Sequence, residues 1–204
     1  MNVIAAFLSA FFYVVFTQNL VFTGGYGTSE VIRSAARPRQ ILVFSVMIVY
    51  FSTFTSLICR LLLLIPFLKT ASTTLTLVVY TAVLTVLYLV TVSIFRALLA
   101  NSSWKQVEKD KLVRQTAIAA FNTIVFAVPF INQKVAYTVS ESIAQGIGAG
   151  VSFVIATLLI HMGMRKIEAN KEIPGCFKGT PALFMYIAIL ALAFTGVSGK
   201  SLFF

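Results

Sequence analysis

Charge is scarce in this chain, and its scarcity excludes more than any motif identifies. Only 11% of the 204 residues are Asp, Glu, Lys or Arg, whereas soluble domains carry about 25%. Hydrophobic residues make up 59% and mean hydropathy is +0.94, more apolar surface than a water-soluble chain of this size encloses. A soluble enzyme and a disordered binder are both excluded. Histidine and cysteine are nearly absent: His161, Cys59 and Cys176 are all there is, too few for a zinc site or a disulfide framework built from this chain alone. No nucleophile and base pair, carboxylate pair or phosphate loop is present. What remains is an all-α integral membrane protein in one domain.

Six uncharged stretches are long enough to cross a bilayer core, which takes about 20 helical residues. They run 1–29, 40–59, 70–95, 115–133, 142–164 and 179–199. Runs such as Ile41 to Tyr50 and Leu75 to Val83 are apolar on every face, unlike the alternating strands of a membrane barrel, so each segment closes its hydrogen bonds as an α-helix. The loops after spans one, three and five hold twelve basic residues against four on the other side. The positive-inside rule therefore predicts cytoplasmic loops there and both termini outside. It also accounts for the net charge of +10, which tracks one membrane face and forms no nucleic-acid footprint. Span one has no basic flank before it and is predicted to stay as an uncleaved helix. Cys59 and Cys176 fall near opposite faces and are not expected to pair.

Two spans are interrupted. The first changes character at Thr17, Gln18 and Asn19, then reads Phe22-Thr23-Gly24-Gly25-Tyr26-Gly27, and so many glycines do not continue a helix. The fourth carries Asn122 and Thr123 near its middle, then Pro129, Asn132 and Gln133; proline removes a helix donor, so a break or kink is predicted there too. Cutting the chain at a cytoplasmic linker, 101–113, leaves repeats 1–100 and 114–204, three spans each, with an interrupted helix opening each half. An odd number of spans inverts the second half. Paired interruptions in inverted halves point to a midplane site, and its candidate residues are Asn19, Thr23, Gly24, Gly25, Asn122, Thr123 and Asn132. Capping of broken helices and helix packing by the asparagines is the alternative use. Gly146, Gly148 and Gly150 lie inside a span with no preceding strand and are predicted to serve close helix packing. His161 stands alone as a packed or interfacial residue, Glu141 marks a span edge, and Trp104 an interfacial anchor.

The C-terminal quarter, Ile173-Pro174-Gly175-Cys176-Phe177-Lys178-Gly179 followed by a span ending Ala193-Phe194-Thr195-Gly196-Val197-Ser198-Gly199, resembles the close of the Rnf A/E and Nqr D/E membrane subunits. More loosely the likeness extends through Gly146 to Lys166 and Asn122 to Asn132. The resemblance implies a small six-helix subunit of a bacterial electron-transport complex in the inner membrane, with the termini of the A-type subunit outside. It implies a paralogous partner docked in the opposite orientation, and a [2Fe-2S] cluster held between them by two cysteines from each. In this chain Thr123 stands at the cysteine position of the second interruption and Thr23 is the nearest residue in the first. A threonine hydroxyl replaces a thiolate poorly, so the chain alone is expected to bind no cluster and no metal. Membrane lipid, a paralogue or second copy, and flavin-carrying or iron–sulfur subunits are the expected partners. The rival functions are an inverted-repeat carrier or channel and a structural membrane scaffold.

Overall fold

The computed structural model describes residues 2–69, 72–100 and 106–199; Trp104, read as an anchor, lies outside the described residues, as do Lys105 and Lys200. Every regular element among the described residues is helical. In order they are α1 (Val3–Phe12), which runs directly into a π-helical turn (Tyr13–Thr17), α2 (Thr28–Ala35), α3 (Pro38–Leu62), the short α4 (Pro66–Lys69), α5 (Thr73–Ala100), α6 (Gln106–Ala120), α7 (Thr123–Val135), α8 (Val139–Ala169) and α9 (Thr180–Val197).

Five of the six expected spans are long and apolar enough to cross a bilayer: Ile41–Leu62, Thr73–Ala100, Gln106–Val135 with its internal break, Val139–Ala169 and Thr180–Val197. The sixth, Val3–Thr17, is shorter. Its fifteen residues rise about 22 Å, and the chain unwinds beyond them because Asn19 and the glycines do not prolong the helix. The protein is an all-α membrane protein among its described residues, with five helices of spanning length and Val3–Thr17 as a shorter apolar helix. Its outside is apolar, with Ile4, Leu42, Phe67, Leu98 and Ile189 exposed, as lipid requires.

Helices α3 and α8 form the most extensive interface. They run antiparallel: Ser52 Oγ donates to the carbonyl of Gly146 and Ser56 Oγ to that of Ser142, each at 2.7 Å. The glycines expected to serve packing do so. A Cβ on Gly146 would meet Thr53 Cα at 2.5 Å, one on Gly150 would collide with Val49, and one on Gly148 would lie 3.2 Å from Val14 Cβ of the π turn. Small residues thus allow backbone approach where hydrophobicity offers no preference between helix and lipid.

Around this pair the contacts are reciprocal. Helices α1 and α2 pack on α8, while α6 and α7 pack on α3; α5 lies against α3 and α6, and α9 against α8 and the π turn. Helix α8 opens with a capping box, in which Glu141 Oε2 accepts the Thr138 N–H at 2.7 Å, so Glu141 serves as an ordinary helix cap. In the turn before it, burial, then the neighbours Tyr13 and Glu141, raises the Tyr137 phenol above its usual range. His161 is packed as expected: its Nδ1 lies 2.7 Å from the carbonyl of Ala35, at the end of α2.

Candidate functional site where two broken helices meet

The first break runs from Gln18 to Gly27. The π turn closes with Gln18 N–H on the Tyr13 carbonyl at 2.7 Å, and the chain then makes a non-helical turn around Asn19. Asn19 Oδ1 accepts the N–H groups of Val21 at 3.1 Å and Phe22 at 3.3 Å, while its carbonyl accepts Thr23 Oγ1 at 2.8 Å. This is the capping use of asparagine, which competes with helix for the backbone. Gly25 and Gly27 take left-handed φ of 69° and 72°, a conformation that a Cβ penalises. Gly24 is needed for room: a Cβ there would lie 2.6 Å from the Tyr26 ring.

The second break is much tighter. Helix α6 stops at Ala120, and Asn122 caps α7, its Oδ1 accepting the Ile124 N–H at 2.9 Å. Pro129, expected to break or kink the span, sits inside α7, which continues to Val135; the interruption is set by the cap and not by the proline. Helix α6 already begins at Gln106, within the stretch read as a linker.

The two breaks touch. Thr123 Oγ1 accepts the N–H of Gly27 at 2.7 Å, across 96 positions of sequence, and a Cβ on Gly27 would lie 2.8 Å from Ile124 and 2.9 Å from Asn122 Oδ1. Gly27 of the first break thus meets Asn122, Thr123 and Ile124 of the second; Asn19, Thr23, Gly24 and Gly25 belong to the same first break, and the hydrogen bonds of Asn19 and Thr23 and the close approach at Gly24 lie within it. Both asparagines are buried, and each leaves its side-chain Nδ2 without a partner among the described residues. Hydrocarbon makes an unpaired amide costly. Yet the break also emerges at the surface: Gly24, Gly25, Tyr26, Phe121 and Thr123 are exposed. The Val14 carbonyl accepts Ser152 Oγ at 3.0 Å, so the π turn just before the first break lies against the middle of α8, and the second break falls near the middle of the Gln106–Val135 span.

Asn132 is not part of this junction. It stands ten residues beyond Asn122, about 15 Å along a helix, and its Nδ2 donates to Ser56 Oγ of α3. Ser56 Oγ in turn donates to the Ser142 carbonyl, so Asn132, Ser56 and Ser142 form a separate buried polar chain; Gln145, three residues along α8 from Ser142, is buried too. Asn132 Oδ1, Ser142 Oγ and both amide atoms of Gln145 have no partner among the described residues. Sequence reasoning named Gly27 as part of the interrupted segment without singling it out as a site residue, and missed Ser56 and Gln145. The glycine cluster pointed to the first, whereas nothing in the local sequence sets Ser56 apart from the other hydroxyl residues of α3.

Neither break carries a cysteine or histidine; its side-chain donors and acceptors are amides and hydroxyls. Those groups do not fit an iron–sulfur cluster, which takes thiolates.

No protein-family model matches the chain. Over 78 residues it is 37% identical to the A-type subunit of the ion-translocating oxidoreductase complex of Aromatoleum aromaticum, covering 38% of this chain and 40% of that protein. Over 82 residues it is 33% identical to the A-type subunit of the proton-translocating ferredoxin:NAD(+) oxidoreductase complex of Clostridium ljungdahlii, 40% and 42% of the two chains. The Na(+)-translocating counterpart from Acetobacterium woodii is 31% identical over 81 residues, with the same shares. The expected similarity to A-type subunits is thus found, and the chain spans about 40% of the length of the curated relatives it matches.

Proposed function

We propose that this chain is a membrane subunit of an Rnf-type electron-transport and ion-translocating complex, and that it docks on a second membrane subunit through the face where its two breaks emerge. The observation that carries this reading is the unwound, exposed backbone at Gly24 and Gly25, in the break whose Gly27 meets Thr123, where the Gln106–Val135 span is itself interrupted near its middle. Irregular backbone does not face hydrocarbon; at that depth it is covered by protein or lines a wet cavity. Similarity to the A-type subunits of ion-translocating oxidoreductase complexes supports an assembly of that kind. The partner is a paralogous six-helix subunit or a second copy of this chain, with flavin and iron–sulfur centres carried by other subunits.

The reciprocal packing of each broken segment on the central helix of the other half supports two inverted repeats, 1–100 and 114–204. The basic loops support both termini lying outside a bacterial plasma membrane. The chain itself holds no cluster in this reading, because the Thr123 hydroxyl is engaged by Gly27 and no thiolate stands beside it. One observation favours the carrier reading instead: the buried polar chain of Asn132, Ser56 and Ser142, with Asn132 Oδ1 and Ser142 Oγ unpaired among the described residues, suits an ion path through the bundle.

Gentle purification from native membranes, with mass spectrometry and iron analysis, tests the proposal. Flavin-carrying and iron–sulfur subunits should accompany the chain, and the chain stripped of partners should be colourless. A chain that purifies only with itself and conducts ions in liposomes would transfer the assignment to the carrier.

A further inference from the structure

The basic residues at one end of the bundle are not evenly spread. Arg33 and Arg37, from α2 and the residues after it, converge with Lys111 and Arg114 of α6 on a single pocket of about 280 Å³. Ser34 and Gln115 add hydrogen-bonding groups, and Phe44 of α3 and Ile118 of α6 give it an apolar base. None of its lining residues is acidic. Arg33 is paired with Glu30 at 2.7 Å and lies over the Phe44 ring. Arg37, Lys111 and Arg114 have no ion pair among the described residues. Arg114 also lines the neighbouring pocket with Arg96 and Lys109, where Asp110 provides a counter-charge.

Three cations without an ion pair among the described residues, drawn from two elements around one cavity, repel one another, and the repulsion is relieved by an anion shared among them. The positive-inside rule explains why the residues are basic; it does not require them to converge on a cavity without a carboxylate. The guanidinium fork matches phosphate oxygens in bidentate fashion. The pocket lies where the spans leave the apolar zone, and its base of Phe44 and Ile118 continues into the membrane-spanning helices. From this geometry we infer that the pocket binds a phosphate group, supplied by the headgroup of an anionic phospholipid whose chains lie along α3 and α6. The site is independent of the broken helices and of the proposed redox assembly.

The test uses the full chain in mild detergent, titrated with phosphatidylglycerol or cardiolipin and followed by native mass spectrometry and thermal stability. Phosphatidylcholine and inorganic phosphate are the comparison ligands. Anionic lipid should be retained and should raise the unfolding temperature, while phosphatidylcholine should do neither. The triple variant Arg37→Gln/Lys111→Gln/Arg114→Gln should weaken retention by roughly ten- to a hundredfold. A matched triple at exposed positions of the same end, Arg165→Gln/Lys166→Gln/Lys171→Gln, should not. If inorganic phosphate stabilises the wild type as well as the lipids do and the pocket variant abolishes it, the phosphate chemistry holds and the source is soluble. Equal losses in the two triples, or none in the pocket triple although it is folded, would overturn the site. The single variant Lys111→Gln, at an exposed position, keeps the test usable where the triple does not fold.

Discussion

The two broken segments reach the same junction by different means. The first unwinds from Gln18 to Gly27 and depends on glycines in left-handed conformations. The second interrupts the helix only at Phe121 and Asn122, and resumes at once because the Asn122 side chain caps α7. One break is made by backbone freedom and the other by a polar side chain. The first should therefore be most sensitive to added bulk, and the second to lost polarity.

The largest effect is expected at Gly27. A side chain there needs φ of 72° and would press on Ile124 and Asn122 of the other break. Gly27→Val combines backbone strain with overpacking and should destabilise by about 3 kcal/mol or more. Gly25 has a similar φ, 69°, but nothing within 4 Å of an added Cβ. Gly25→Ala should cost only about 1–2 kcal/mol, the conformational part alone. Unfolding temperatures in mild detergent measure both. Equal losses would mean that contact between the breaks does not set their stability.

Next come the asparagines. Asn19→Leu and Asn122→Leu each remove a cap, at about 0.5–2 kcal/mol, together with an unpaired amide. Asn122→Ser keeps an oxygen for the Ile124 N–H and loses only the amide nitrogen. If that amide serves partner docking, Asn122→Ser should insert, retain near-normal stability and still lose its partner or its activity. Normal partner recovery and activity in all three variants would reduce both breaks to architecture.

Much of the fold was legible because lipid imposes coarse rules. Uninterrupted apolar length located α3, α5, α8 and α9, and Gly146, Gly148 and Gly150 announced a close helix seam. The first interruption was also legible, since clustered glycines have few other uses in a span. Pro129 does not mark the break, because proline signals a lost donor without saying where a helix ends; it sits inside α7, whose start is set upstream by the Asn122 cap. Asn132 misled for a different reason. It shares its residue type with Asn19 and Asn122, but ten residues along a helix separate it from the junction, and its Ser56 partner lies 76 positions away in sequence. Pairings of that range leave no local pattern.

A modest effect is expected at Thr123, and it bears directly on the bond that joins the breaks. Its Oγ1 accepts the Gly27 N–H at 2.7 Å, so Thr123→Val removes the acceptor while nearly preserving shape. The buried Gly27 donor is then left unpaired, which costs about 1–3 kcal/mol where nothing relaxes. Thr123 is exposed at the bundle surface, so the detergent-solubilised chain can partly relieve that donor with water, and the loss should fall near the low end of that range, about 1 kcal/mol. In the assembled complex the same face is covered under the proposed function, water is excluded, and the loss should grow. Thr123→Ser, which keeps the hydroxyl, should behave as the parent in both settings. Stability of Thr123→Val and Thr123→Ser, measured for the isolated chain and for the purified complex, separates the cases: a valine penalty identical in both would show that no partner closes over the junction.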